Sequence, residues 1–152
     1  MIGHLQSNKI KYMAHFVDLI HGVDKFKTLK EINKQAAKHN RTINCLLQAK
    51  IAEEDTKFGM EFSEIKEILI SKKFKELENI KVVGLMGMAT FTDDKNQINN
   101  EFNSLNQFYK NLKEEHPSLE ILSMGMSGDF EIAIENKSNM VRIGSAIFGE
   151  RT

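Results

Sequence analysis

Residues 80–88 read "IKVVGLMGM", nine positions carrying a single charge, between the polar stretches "ELEN" and "ATFTDD". A strand with one wet face alternates apolar and polar side chains, and this stretch does not. Its near-continuous apolar character fits a strand covered on both faces, as in a parallel sheet flanked by helices.

The same character recurs at "TINCLLQAKI" (42–51), "LEILSMGM" (119–126) and "MVRIG" (140–144), with shorter runs at "MIGHL" (1–5) and "DLIHGV" (18–23). Amphipathic stretches lie between them. Phe26, Leu29, Ile32, Ala36 and Ala37 share a helical face behind Asp24 as N-cap, and Ile65, Ile68 and Leu69 share another behind Ser63. Ile98, Phe102, Leu105, Phe108, Tyr109 and Leu112 recur at helical spacing until Pro117 forbids continuation. Each stripe is expected to face the core.

Strands joined by helical crossovers pair in parallel through right-handed βαβ units, and the pattern predicts about six strands and about five helices. Strand starts recur roughly every 28 residues, so eight units need about 220, close to the ~250 of a (β/α)8 barrel. The chain is about two units short. The residues therefore leave two α/β architectures open, an open parallel sheet or a barrel missing one end. Met1, inside an apolar run with no lead-in, hints at the second.

Length and composition predict a single domain over 1–152, with 41% hydrophobic and 28% charged residues. Acidic and basic residues balance at 21 each, so no basic face for nucleic acid is implied. Cys45 is the only cysteine, expected to be a small buried residue in a reducing, cytoplasmic setting. No window approaches the roughly 18 apolar residues of a membrane span.

Parallel α/β folds bind ligands at the carboxyl ends of their strands, and barrels often hold phosphate in the loops after the last two. Those loops are the most glycine-marked here. In "SMGMSGDFEIAI", Gly125, Ser127 and Gly128 predict a tight turn, with Asp129 or Ser127 capping a short helix through Ile134. In "RIGSAIFG", Gly144 lets the backbone approach a ligand and Ser145 adds a hydroxyl. Arg142 sits inside an apolar run, and a buried guanidinium requires an acceptor. Together these residues suggest a phosphate-bearing ligand.

Other candidates are weaker. His4, His15, His21, His39 and His116 show no metal-ligand spacing and read as surface or loop residues, although His4 ends the first run on the presumed ligand face. Glu53, Glu54 and Asp55 read as a solvated loop. No nucleophile elbow, Walker loop or GxGxxG fingerprint occurs.

"IGHLQSNK" (2–9), "LLQAKIAEEDTKFGM" (46–60), "GLMGMA" (84–89), "LSMGMSGDFEIAI" (122–134) and "MVRIGSAIFGER" (140–151) resemble, in order, the pyridoxal phosphate homeostasis proteins. That family is similar in fold to the amino-terminal barrel of alanine racemases. The resemblance implies a TIM-type (β/α)8 barrel binding pyridoxal 5′-phosphate (PLP), without established turnover, in vitamin B6 and amino-acid balance. Ser127, Gly144 and Ser145 resemble its phosphate cradle, Arg142 the residue facing the pyridine nitrogen, and Met126 a lining of the ring. A permanent cation there keeps that nitrogen unprotonated, which suits a carrier. His4 is carried as a further cofactor-binding candidate.

The lysine that holds PLP covalently in the family, and an asparagine after the second strand, lie upstream of "IGHLQSNK". The expectation is a partial barrel of about six βα units lacking the first two strands, from a truncated or mis-started frame, binding PLP non-covalently. Lys50 departs from an asparagine usual after "Q-hydrophobic" and is expected to disturb its strand end. Open sheet edges would favour self-association. Two rival readings are a PLP-dependent racemase-like enzyme, for which Tyr12 and Tyr109 are the only tyrosines and neither ends a strand, and a fragment that is inert or depends on a partner.

Overall fold

The computed structural model describes residues 1–54 and 58–151. Four parallel strands, β1 (Leu19–Val23), β2 (Ile43–Ala49), β3 (Ile80–Gly87) and β4 (Ile121–Met124), pair in sequence order. Helices α1 (Ile10–Met13), α2 (Phe26–Lys38), α3 (Phe62–Ile70), α4 (Lys72–Lys75), α5 (Lys95–Glu115), α6 (Phe130–Glu135) and α7 (Ser145–Phe148) fill the connections. A 3-10 turn, Ser7–Lys9, leads into α1. Sequential parallel order with helical crossovers makes the sheet an arc of a (β/α)8-type barrel.

Side chains alternate across the sheet, so the arc buries two different faces. Cys45 and Leu47 of β2, Leu85 of β3, and Leu122 and Met124 of β4 join the main core with Leu29, Ile32 and Ala36 of α2 and Phe102 and Leu105 of α5. Leu46, Val83 and Met86 form a smaller cluster, with Leu19 and Ile121 partly buried against it. Phe102 is fully enclosed, so truncation to alanine costs ~3–5 kcal/mol. Gly84 permits the closest strand approach: a Cβ there would stand 1.9 Å from the Ile121 carbonyl oxygen.

Six strands were expected, and the two outermost runs depart from that. Met1 donates its ammonium to the Leu19 carbonyl (2.9 Å) and accepts from the His21 amide (3.0 Å), yet residues 1–5 form no regular strand. Residues 139–142 follow β4 through Asn139 N to Leu122 O (3.1 Å), Met124 N to Met140 O (3.1 Å) and Arg142 N to Gly125 O (2.9 Å). Only the Ser123–Met140 bridge is regular there. Both runs thus continue the arc in order, each pairing on one side among the described residues.

Helix starts also differ. Lys25, not Asp24, precedes α2 as its N-cap; the Asp24 carboxylate lies 3.4 Å from His4 Nε2 instead. Ser63 lies inside α3, behind Glu61. Asp94 caps α5, accepting from the amides of Asn96 (3.1 Å) and Gln97 (3.2 Å), and the helix ends at Glu115 ahead of Pro117. β2 stops at Ala49, one residue before Lys50, whose amide donates to the Met60 carbonyl.

Candidate functional site

The site begins where β4 ends. Gly125 turns the chain at φ 106°, a left-handed value that favours glycine, and a Cβ there would crowd Ala133 at 2.8 Å. Asp129, expected as a helix cap, turns its carboxylate back to the Met126 amide (2.7 Å) and makes no capping bond to α6. Met126 O accepts from the amides of Asp129 (3.1 Å) and Phe130 (2.9 Å), which closes the loop on itself.

The next run is fastened to β4 by side chains. Asn139 accepts from the Leu122 amide (2.8 Å) and donates to the Glu120 carbonyl (2.8 Å). The Ser138 hydroxyl lies 2.7 Å from the Met124 carbonyl oxygen and 2.9 Å from that of Met140. This register delivers Arg142 to the interior, where it is 6% exposed. Its guanidinium donates to Ser123 Oγ at 2.5 Å and to the Gly87 carbonyl at 3.1 Å.

Arg142 was expected to need an acceptor from a ligand. The structure supplies two protein acceptors, both neutral, and no carboxylate in direct contact among the described residues. Desolvation lowers its pKa to about 10, opposed by the Asp129 carboxylate, so it remains a cation at neutral pH. A guanidinium has five donors, so further capacity is left for a bound group.

Ser127 and the start of α7 meet across the two loops. Ser127 Oγ accepts from the amides of Gly144 (3.3 Å) and Ala146 (3.1 Å), occupying the place an anion oxygen takes beside free backbone N–H groups. Ser127, Met126, Arg142, Gly144 and Ser145 line one cavity of about 470 Å³, together with the wall of residues 88–93. A Cβ at Gly128 or Gly144, both in that lining, would meet no protein atom within 4 Å. Protein packing therefore gives no steric reason for glycine at either position, whereas a ligand pressed against the backbone does. The residues present fit a phosphate-bearing ligand. No lysine lines the cavity among the described residues.

His4 is not brought to this cavity. It stacks on Phe58 at 3.9 Å, with its Nε2 3.4 Å from the Asp24 carboxylate. His21 is also misplaced by a surface reading: it is buried on β1, with Nδ1 lacking a hydrogen-bond partner. Desolvation, then Arg142 and the Met1 ammonium, depress its pKa to about 4, so it is neutral.

The acidic stretch is more than a solvated loop. Glu53 donates its amide to Thr90 Oγ1 (2.9 Å), and Glu54 accepts from the Phe91 amide (2.5 Å); Asp55 lies outside the described residues. The wall from Met88 to Asp93 and the guanidinium partner Ser123 escaped the sequence reading. Ser123 left one faint signal, a lone hydroxyl inside "LEILSMGM". Cys45 is fully buried as expected, and burial pushes its thiol up to about 12. Tyr12 is exposed on α1 and Tyr109 donates to the Leu119 carbonyl, both away from the cavity. No described helix is long and apolar enough to cross a membrane.

With this geometry in place, comparison with known proteins gives a consistent result. The family model of the alanine racemase N-terminal domain matches residues 1–152. A pyridoxal phosphate homeostasis protein of Aquifex aeolicus is 40% identical over 151 residues, covering 99% of this chain. The chain spans 65% of that relative's length. A solved protein of Bifidobacterium adolescentis superposes with TM-score 0.87 at 33% identity, covering 97% of this chain and 59% of the other. PipY of Synechococcus elongatus, solved with PLP bound, superposes with TM-score 0.84 at 26% identity, covering 97% and 68%. The chain belongs to the alanine racemase N-terminal domain family, and the relatives it resembles are pyridoxal phosphate homeostasis proteins.

Proposed function

We propose that the protein binds PLP in the cavity below Ser127 and Gly144 and serves as a non-catalytic PLP carrier in vitamin B6 and amino-acid balance. The observation that carries this reading is the Ser127 hydroxyl accepting from the Gly144 and Ala146 amides, beside glycines that no protein atom requires. A phosphate would take those donors, with Ser127 and Ser145 as hydroxyl partners. The name of the Aquifex relative and the PLP held by the Synechococcus neighbour support the choice of ligand.

PLP, when bound, supplies an electron-poor ring whose strength as an electron sink depends on the protonation of its nitrogen. Arg142 would hold that nitrogen without giving up a proton, since its pKa of about 10 keeps it charged at neutral pH. Met126 would cover the ring. No lysine lines the cavity among the described residues, so attachment through these residues is non-covalent. The reading includes a reducing cytoplasmic setting, in which buried Cys45 stays a thiol.

The test is an absorbance titration of the purified chain with PLP, pyridoxal and inorganic phosphate. PLP is expected to bind at least about tenfold more tightly than pyridoxal, the order of one or two charge-assisted hydrogen bonds. Ser127→Ala should shrink that difference. Equal affinity for PLP and pyridoxal, or no PLP binding, overturns the proposal.

A further inference from the structure

Part of the cavity lining, the Met88–Asp93 wall, is held in part by a buried carboxylate. Glu101 lies two turns into α5 and is 8% exposed, with neither lysine nor arginine paired to it among the described residues. Its Oε1 accepts from the Thr90 amide (2.7 Å), and its Oε2 accepts from Thr90 Oγ1 (2.9 Å) and Gln97 Nε2 (3.1 Å). Thr90 Oγ1 in turn accepts from the Glu53 amide (2.9 Å). The loop after β2, the loop after β3 and helix α5 are thus joined through Thr90.

Burying a carboxylate costs free energy that is recovered only when its lone pairs are met, and three donors meet this one. What it fixes is specific: Thr90 and its neighbours are the cavity wall, while Phe91 beyond it is 92% exposed and held by no packing of its ring. Backbone bonds to Glu101 and Glu54, rather than side-chain burial, therefore set where that wall stands. The phosphate cradle has separate supports on the loops after β4 and at 138–144.

We infer that Glu101 is a positioning residue that holds the Met88–Asp93 wall against the ring portion of the bound ligand, independently of the phosphate cradle. The inference rests on the reading of the cavity as a PLP site. Removing Glu101 should release the ring wall and leave the phosphate subsite. In Glu101→Gln, with the side-chain oxygen kept on the Thr90 amide, the new nitrogen faces the Gln97 side-chain nitrogen, donor against donor, and the Thr90 hydroxyl loses the acceptor it donated to.

The experiment titrates wild type, Glu101→Gln, Thr90→Val and Thr90→Ser with PLP and, separately, with inorganic phosphate. Amide exchange at Thr90, Phe91 and Phe102 is read on the same proteins. Glu101→Gln and Thr90→Val are expected to weaken PLP about tenfold, the consequence of unmet buried partners, while phosphate affinity changes less than about twofold. The Thr90 and Phe91 amides should exchange faster while that of Phe102 holds. Thr90→Ser, which keeps the hydroxyl, should bind PLP more tightly than Thr90→Val.

PLP binding unchanged in both Glu101→Gln and Thr90→Val overturns the inference alone. So does a parallel loss of PLP and phosphate accompanied by faster exchange at Phe102, which is the signature of a general structural role. Wild type that fails to bind PLP overturns the proposed function and this inference with it, and that outcome is read from the wild-type titration by itself.

Discussion

Arg142 and Ser123 lie on adjacent runs of the arc, and the Arg142 guanidinium donates to the Ser123 hydroxyl at 2.5 Å in an interior where both are buried. This bond, with that to the Gly87 carbonyl, fixes the direction of the charge before any ligand arrives. Ser123→Ala removes a neutral acceptor from a buried cation. It should lower stability by about 1–3 kcal/mol in denaturant unfolding and weaken PLP more than inorganic phosphate. Arg142→Lys, which keeps charge but loses the planar fork, should reproduce the ligand effect.

The neutral His21 predicts an acid sensitivity. Its pKa is depressed from 6.5 to about 4 by burial, by Arg142 and by the Met1 ammonium. Below pH 6.5 the unfolded chain binds a proton that the folded chain refuses, so stability falls as pH drops from about 6.5 to about 4 and this contribution then levels off. Discounted for partial solvation of the ring, the loss is about 1–2 kcal/mol. His21→Gln should flatten that part of a stability curve measured against pH; an unchanged slope would show that the imidazole is not responsible.

Gly144 separates folding from binding. A Cβ there meets no protein atom within 4 Å, so Gly144→Ala should change unfolding free energy by less than about 1 kcal/mol. Placed in the cavity lining, the same methyl should weaken phosphate and PLP together. Thermal unfolding and titration on one preparation check both halves, and a stability loss matching the affinity loss would defeat the argument.

Asn139 offers the complementary experiment, because it lies outside the cavity lining yet sets the register that delivers Arg142. Asn139→Ala leaves the Leu122 amide and the Glu120 carbonyl without their side-chain partner. The expected cost is about 1–3 kcal/mol. PLP affinity should fall as well, whereas Asn139→Asp, which can still accept from the Leu122 amide, should retain part of it.

Much of the arc was legible in the chain. The run at 80–88 is β3 to within a residue, and the stripe from Ile98 to Leu112 is the buried face of α5, because apolar period reports burial directly. Helix starts were less legible: Asp24 and Lys25 both precede α2, and only the fold shows Asp24 facing His4. Of the cavity lining, Ser127, Gly144, Ser145 and Arg142 stand out in the sequence, since each belongs to a turn or run with local character, while Met126 enters only through the family resemblance. His4 lies outside that lining, stacked on Phe58.

The sequence by itself determined the alternation of covered strands and amphipathic helices, the two glycine-serine turns and one charge in an apolar run. Those are properties of neighbours along the chain, set by periodicity and backbone freedom. Only the tertiary structure decided what the charge meets, since Ser123 stands 19 residues from Arg142 and the Gly87 carbonyl stands 55 away. The same holds for the wall at Thr90, joined to Glu53 and Glu101 from two other elements. Parallel pairing brings these groups together because each crossover returns the chain to the same end of the sheet, and no local pattern records which polar partners meet there.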